Sequence, residues 1–308
     1  MADAPVIPLA GPLFTMRQME EIFDWQNILI YGDFGDGKTW LAASAIFVPD
    51  MCDVLYLNLE GGEKTLKEIA RICRKNNIDP NRIMVIPVES YQQYAYVYEF
   101  MKIHIRARDA NDELTLRKLE AQVRGLLPQV VINGVLDESK LMELIPVPRK
   151  FRTVITDSLT EAQKYCMYQI LGINPSTQKL DAEPDQAQFQ DWGKSREMIQ
   201  FLIRRYRDLH INSIFICGQA IEQDARKMFH YEPMLPGKLS NDVRGLVDTV
   251  GYLRKIPQEG GKVVRRLILE GGVHGGAHYA AKHRYGSNLT GLYVDDPTMA
   301  ILYKMGLD

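Results

Sequence analysis

Gly32-Asp33-Phe34-Gly35-Asp36-Gly37-Lys38-Thr39 has the G-x-x-x-x-G-K-[ST] spacing of a phosphate-binding loop. Its flanks suit that reading. The apolar run Asn27 to Tyr31 enters it as a strand, and Thr39 to Phe47 leaves it as a helix. Each residue type answers a physical demand. The glycines let the backbone curl so that successive N–H groups face the β- and γ-phosphates, and the helix start adds partial positive charge. Lys38 brings a mobile full charge, and the Thr39 hydroxyl is a hard oxygen donor for Mg2+. Gly32, Gly35, Asp36, Gly37, Lys38, Thr39 and Trp40 are therefore the candidate nucleotide-binding residues, with ATP and Mg2+ as the expected ligands.

Moving outward, short apolar strands alternate with helical segments. Val54 to Leu59, Ile83 to Val88, Thr153 to Thr156 and Ile214 to Cys217 read as strands, and the periodicity predicts helices over Lys64 to Asn76, from Ser158 through Tyr168, and over Trp192 to Leu209. The last should bury Met198, Phe201, Leu202 and Tyr206. This alternation predicts a mostly parallel sheet with helices on both faces. Leu246 to Arg254 and Val263 to Glu270, joined by Pro257-Gln258-Glu259-Gly260-Gly261, read instead as a C-terminal hairpin.

In an open α/β sheet, ligands gather at the carboxyl ends of the strands, so the polar residues there carry the chemistry. Asp157 closes the run Val154-Ile155-Thr156 and suits a carboxylate that holds Mg2+ together with Thr39. Ser158 follows it where some chains place a catalytic glutamate, so the base must lie elsewhere. Glu60, at the end of the second strand, is the leading candidate to orient and deprotonate the attacking water, with Glu161 as its rival. Gln219 ends a later strand, where its amide could bond the γ-phosphate or the water.

The 308 residues suffice for one large α/β domain or two small ones, and 46% hydrophobic residues can build a sizeable core. We expect an arm over residues 1–23, a single ATPase domain over 24–308, and within it a charged insertion over 106–148 forming a solvated helix and hairpin. A net charge of −2 and a pI near 6.3 confine any nucleic-acid contact to a local basic surface. The four cysteines show no C-x-x-C pairing and read as reduced structural thiols, without a zinc site. With no signal peptide or apolar span in view, the expected location is the cytoplasm, with no membrane partner.

Two long polar loops are expected over 172–191 and Ala220 to Ser240. The first mixes Lys179 with Asp181, Glu183 and Asp185. The second offers Arg226, Lys227, Phe229, Tyr231 and Lys238, with His230 beside them. Cations interleaved with rings suit single-stranded nucleic acid, which presents both backbone charge and base faces.

The order of these parts, with Asp191-Trp192-Gly193-Lys194, Pro236-Gly237-Lys238 and Ala281-Lys282-His283-Arg284-Tyr285-Gly286 further along, resembles the RecA-like P-loop NTPase core. More narrowly it resembles the phage-encoded RecA-like ATPases that include single-strand annealing proteins, over about Asn27 to Gly286. The resemblance implies ATP hydrolysis coupled to single-stranded DNA in recombination, in the host cytoplasm. It also implies a homo-oligomer with ATP between protomers, and a single-strand binding protein as a further partner. Lys282 and Arg284 would then reach the γ-phosphate bound by the neighbouring subunit, as an arginine finger does. Two other readings stay open: a ring-forming helicase or translocase, and a non-catalytic ATP-dependent scaffold or DNA-binding regulator.

Overall fold

The most apolar stretches become the most buried strands. In the computed structural model, which describes residues 25–132, 134–174, 177, 186–284 and 293–307, every residue of β1 (Asn27–Gly32) and β2 (Val54–Asn58) is buried. β3 (Ile83–Pro87) is half exposed. A small separate hairpin, β4 (Val131–Ile132) and β5 (Val135–Leu136), precedes β6 (Thr153–Asp157), again wholly buried, and β7 (Asn212–Gln223). The chain continues through β8 (Phe229–Pro233), β9 (Thr249–Pro257), β10 (Val263–Ile268), β11 (Gly272–His274), β12 (Ala277–Tyr279) and β13 (Tyr293–Asp295).

The parallel part of the sheet runs β3-β2-β6-β7-β1-β9. β10 then pairs antiparallel with β9, and β13 with β10. The architecture is thus mixed α/β, with a mostly parallel central sheet flanked by helices and the C-terminal hairpin β9–β10. The strand after the phosphate loop's own β1 is β7, so Asp157 on β6 stands one strand away from the loop.

Side chains of successive strand residues point to opposite faces, and each face builds its own core. Leu29, Tyr31, Leu55, Leu57, Val154 and Phe215 pack under the helices Tyr91–Asp109, Leu159–Ile170 and Phe189–Arg207. Ile28, Ile30, Val54, Tyr56, Ile155 and Ile214 face the helices Lys38–Ala43 and Met299–Leu307. Strands buried on both faces need near-continuous apolar sequence, which is why these runs were readable.

Several expectations change. The Ala220 to Ser240 segment is not a long loop: β7 runs on to Gln223, turns at Asp224–Met228 and returns as β8, with a helix from Leu239 to Leu246. The Gly271 to His278 stretch is likewise ordered, as the β11–β12 hairpin beside β8. The helix expected from Trp192 begins at Phe189, and its buried face is Ile199, Leu202, Ile203 and Tyr206. Phe201 is 55% exposed, with the Arg205 guanidinium 4.3 Å from its ring centre. The helix after the phosphate loop is α-helical only to Ala43 and tightens to 3-10 geometry over Ser44–Phe47. All four cysteines are free and buried. The 1–23 arm, half of 172–191 including Lys179, Asp181, Glu183 and Asp185, and Tyr285 and Gly286 lie outside the described residues.

Within 106–148 the end of the Tyr91–Asp109 helix leads into helices Glu113–Val123, Leu127–Val130 and Glu138–Leu144 and the β4–β5 hairpin. Ala121, Val130, Leu141 and Ile145 form a small apolar cluster of their own. Glu120 ties this unit to the main body. It is 3% exposed, pairs with Arg149, accepts from the Arg149 backbone N–H at 2.8 Å and sits 3.4 Å from Arg124. Glu120→Ala leaves Arg149 without its buried counter-charge. A loss of about 3 kcal/mol in denaturant-unfolding stability is expected, checked by comparing urea midpoints.

Candidate nucleotide site

Gly32 ends β1, and the chain turns sharply through Asp33–Gly37 before the helix begins at Lys38. The turn is held from inside. Asp36 Oδ2 accepts from the Asp33 N–H at 3.1 Å, and Lys38 Nζ donates to the carbonyls of Gly32 and Asp33 at 3.0 and 2.8 Å. Burial lowers the Lys38 pKa, and the negative charges of Asp157, Glu60 and Asp36 counter that effect. The ammonium thus stands among carboxylates inside a curled loop, where a polyanion would meet it.

Asp157 comes to the same place from β6. Its Oδ2 accepts from the Thr39 hydroxyl at 2.7 Å and from the Tyr56 hydroxyl on β2. The carboxyl is 3% exposed, and burial holds it above the usual carboxylate range, against the pull of the two hydroxyls and Lys38. Burial likewise pushes the Tyr56 phenol far above its ordinary value, so it stays a donor. Sequence reading missed Tyr56, which looked like one more apolar strand residue; a hydroxyl-bearing ring two residues before the strand's end was the available signal.

Thr39 Oγ1 and Asp157 Oδ2 are hard oxygen donors held together beside a loop shaped for phosphate. That donor set fits Mg2+, which takes few protein ligands and keeps waters and phosphate oxygens for the rest. Among the described residues no group of three or more His, Cys, Asp or Glu is clustered for metal binding.

Glu60 and Glu161 line one cavity of about 450 Å³ with Lys38, Ser158 and Lys164. They differ in partners. Glu161 is paired with Lys164, whereas Glu60 accepts a hydrogen bond from the Ser158 hydroxyl and, among the described residues, has no ion pair. Burial raises the Glu60 pKa, the Ser158 hydrogen bond lowers it, and Asp157 and Glu161 raise it further. Ser158 itself caps the next helix, accepting from the Glu161 N–H at 3.3 Å.

Gln219 lies one residue beyond Gly218, which pairs with Gly32. Its carboxamide oxygen accepts from the Tyr252 hydroxyl at 2.9 Å, which links the loop's edge to a stack of Tyr231, Tyr252 and Tyr279 with ring centres 5.2 to 5.3 Å apart. Trp40 is partly buried against the cluster of Ala43, Ile46 and Ile69, on the helix side of the loop.

Lys282 and Arg284 are elsewhere in this chain. Lys282 exchanges backbone hydrogen bonds with Val250 at 2.8 and 3.0 Å, and Arg284 pairs with Asp248 at 3.1 Å. Val250 is level with Leu29 on β1, near the amino end of the strand, so about 10 Å of strand separates that level from Gly32. Of the expected nucleic-acid residues, Arg226, Lys227 and Phe229 are exposed around the β7–β8 turn, and Lys238 is exposed where the next helix starts. Tyr231 is half-buried, with its ring packed against those of Tyr252 and Tyr279.

Comparison with known proteins adds the following. The family model described as "AAA domain" matches residues 25–285. No curated protein matches. Among solved structures, the RadB recombinase is similar at a TM-score of 0.37 and 15% identity, covering 88% of this chain and 86% of that one. An ATPase from the type III secretion system of pathogenic bacteria is similar at 0.32 and 13%, covering 82% and 64%. Since the matched span covers most of the chain, taking in the loop, the Asp157 strand and both hydroxyl partners of Asp157, the chain belongs to the AAA domain family and carries a P-loop ATPase domain of that type.

Proposed function

We propose that this protein is an Mg2+-dependent, RecA-like ATPase that acts on single-stranded DNA in phage recombination or single-strand annealing. The observation that carries the ATPase part is the convergence of Thr39 and Asp157 at 2.7 Å beside the Lys38 ammonium, with Glu60 on the same cavity. Gly35 to Thr39 would hold the phosphates, and Thr39 and Asp157 the metal. When bound, Mg2+ neutralises phosphate charge. Glu60, steadied by Ser158 at one oxygen, accepts a proton from water at the other, and its raised pKa makes it the better base. Glu161 is the poorer candidate because Lys164 neutralises it. Gln219 is assigned as the sensor, since its bond to Tyr252 leads from the loop's edge toward the β7–β8 hairpin.

Lys282 and Arg284 are assigned to the nucleotide of a neighbouring subunit in a homo-oligomer, a reading supported by their distance from the loop of their own chain. Arg284→Ala is expected to bind ATP normally and turn it over at least about a hundredfold more slowly. Mixing it with Lys38→Ala subunits, which keep Arg284, should restore part of the rate. A mixture no faster than the sum of its parts would sink action in trans.

Support for single-stranded DNA comes from Arg226, Lys227 and the 46% exposed Phe229 around the β7–β8 turn, with Lys238 nearby in sequence. The test of the whole reading is the ATPase rate with and without single-stranded DNA, alongside particle size with ATP. Stimulation together with assembly is expected. A rate indifferent to DNA would remove the DNA part, and no turnover at all would remove the enzyme.

A further inference from the structure

The C-terminal hairpin carries basic residues in two cross-strand pairs, Arg254 opposite Arg266 and Lys255 opposite Arg265. Strand alternation sends the pairs to opposite faces. On one face the charges are occupied: Arg254 donates to the Tyr279 hydroxyl at 3.1 Å, and Arg266 is bidentate to Asp295 at 2.7 and 2.8 Å and lies 3.6 Å from the Tyr293 ring centre. On the other face Lys255 and Arg265 lean over the phosphate loop. Arg265 Nε donates to the Asp36 carbonyl at 3.2 Å. A Cβ added to Gly37 would lie 2.6 Å from that Nε, and one added to Gly35 would lie 3.9 Å from Lys255 Nζ. Among the described residues neither cation has a carboxylate partner.

Arg265 is held where it is. Its backbone N–H donates to Asp296 Oδ1 at 3.1 Å, and its carbonyl accepts from the Asp296 N–H at 2.6 Å. Arg265 is fixed against a loop built for phosphate and Lys255 stands beside it; both are exposed and, among the described residues, without a carboxylate partner, an arrangement that suits an anionic ligand. The layout of the sheet says which end of it. β1 has β7 on one side and β9 on the other. Asp157 and Glu60 lie on the β7 side, across which water must attack the terminal phosphate. The hairpin lies on the β9 side, where the other end of the ligand must leave the loop.

We infer that Lys255 and Arg265 form a cationic wall, in the same chain as the loop, that binds the α-phosphate end of a nucleoside di- or triphosphate. This rests on the nucleotide-binding reading above and adds a basic pair distinct from Lys282 and Arg284. Because both nucleotides share the contacted end, the wall strengthens ADP and ATP binding alike. A finger from a neighbour would act on the triphosphate alone.

The experiment measures MgADP and Mg·AMPPNP affinity by calorimetry, together with melting temperature without nucleotide, for the wild-type chain, Lys255→Ala, Arg265→Gln and Arg265→Lys. Each neutral substitution is expected to weaken both ligands by a similar factor of about ten or more. Salt dependence of binding should become shallower, the nucleotide-free melting temperature should stay put, and Arg265→Lys should recover most of the affinity. Wild-type affinity in both neutral variants overturns the inference, as does a loss confined to AMPPNP. A lowered nucleotide-free melting temperature in Arg265→Gln with normal binding by Lys255→Ala makes Arg265 a strut for the loop, which also overturns it. If the wild-type chain binds neither nucleotide, the ATPase reading itself falls, a result separate from any of these.

Discussion

Lys38→Ala is expected to lower affinity for both ATP and ADP by about two to four orders of magnitude. The substitution removes charge-assisted hydrogen bonds to phosphate worth about 1.5–3 kcal/mol each. The nucleotide-free loop loses less. Lys38 now donates to the carbonyl of buried Gly32 and to that of exposed Asp33, and at Asp33 water can replace it. The substituted chain should therefore fold and melt near the wild-type temperature while failing to bind. Calorimetric titration with each nucleotide checks this, and unchanged affinity would remove the phosphate-loop assignment and everything built on it.

Glu60→Gln should separate binding from chemistry. Glutamine keeps the side chain's length and can still accept from Ser158, but it cannot take a proton from water. Nucleotide affinity is expected to stay within about twofold, while kcat falls by about three orders of magnitude. The pH profile gives a second readout. Burial and the neighbouring Asp157 and Glu161 raise the carboxyl above its ordinary range, so the base is active above that raised pKa and is lost as pH falls through it. Wild-type kcat should thus drop on an acid limb displaced upward from that of a free glutamate. The limb should vanish in Glu60→Gln. A persisting limb, or a rate within tenfold of wild type, would hand the role to Glu161.

The parts of the fold readable from sequence were those in which burial dictates composition. β1, β2 and β6 lie inside on both faces, so their residues had to be apolar, and the polar residue that breaks each run marks the ligand edge. The candidate site was legible to the same extent: Lys38, Thr39, Glu60 and Asp157 each sit at such an edge. The β7–β8 hairpin was missed because, past Gly218, β7 leaves the core and its residues need no longer be apolar; Gln219-Ala220-Ile221-Glu222-Gln223 then looks like a loop. The alternation Phe229-His230-Tyr231-Glu232-Pro233 was the overlooked clue. Tyr56 was hidden for another reason, since a tyrosine satisfies a core strand whether or not its hydroxyl has a task. Arg265 was invisible because its contact with Asp36 spans 229 residues, and nothing local announces it.

β7 has one more consequence. It is a single twelve-residue strand that starts in the core, passes the phosphate loop at Gly218 and ends at Gln223 without a break. A hinged flap can open and close independently of its base, but a continuous strand behaves as a lever with its fulcrum in the sheet. The arm from Gly218 to Gln223, braced by β8, is about 16 Å long, so a tilt of about ten degrees at the loop would sweep the tip by about 3 Å. A small displacement at the loop's edge would be magnified at the exposed turn, and the stiffness of the arm, set by its pairing with β8, would fix the gain.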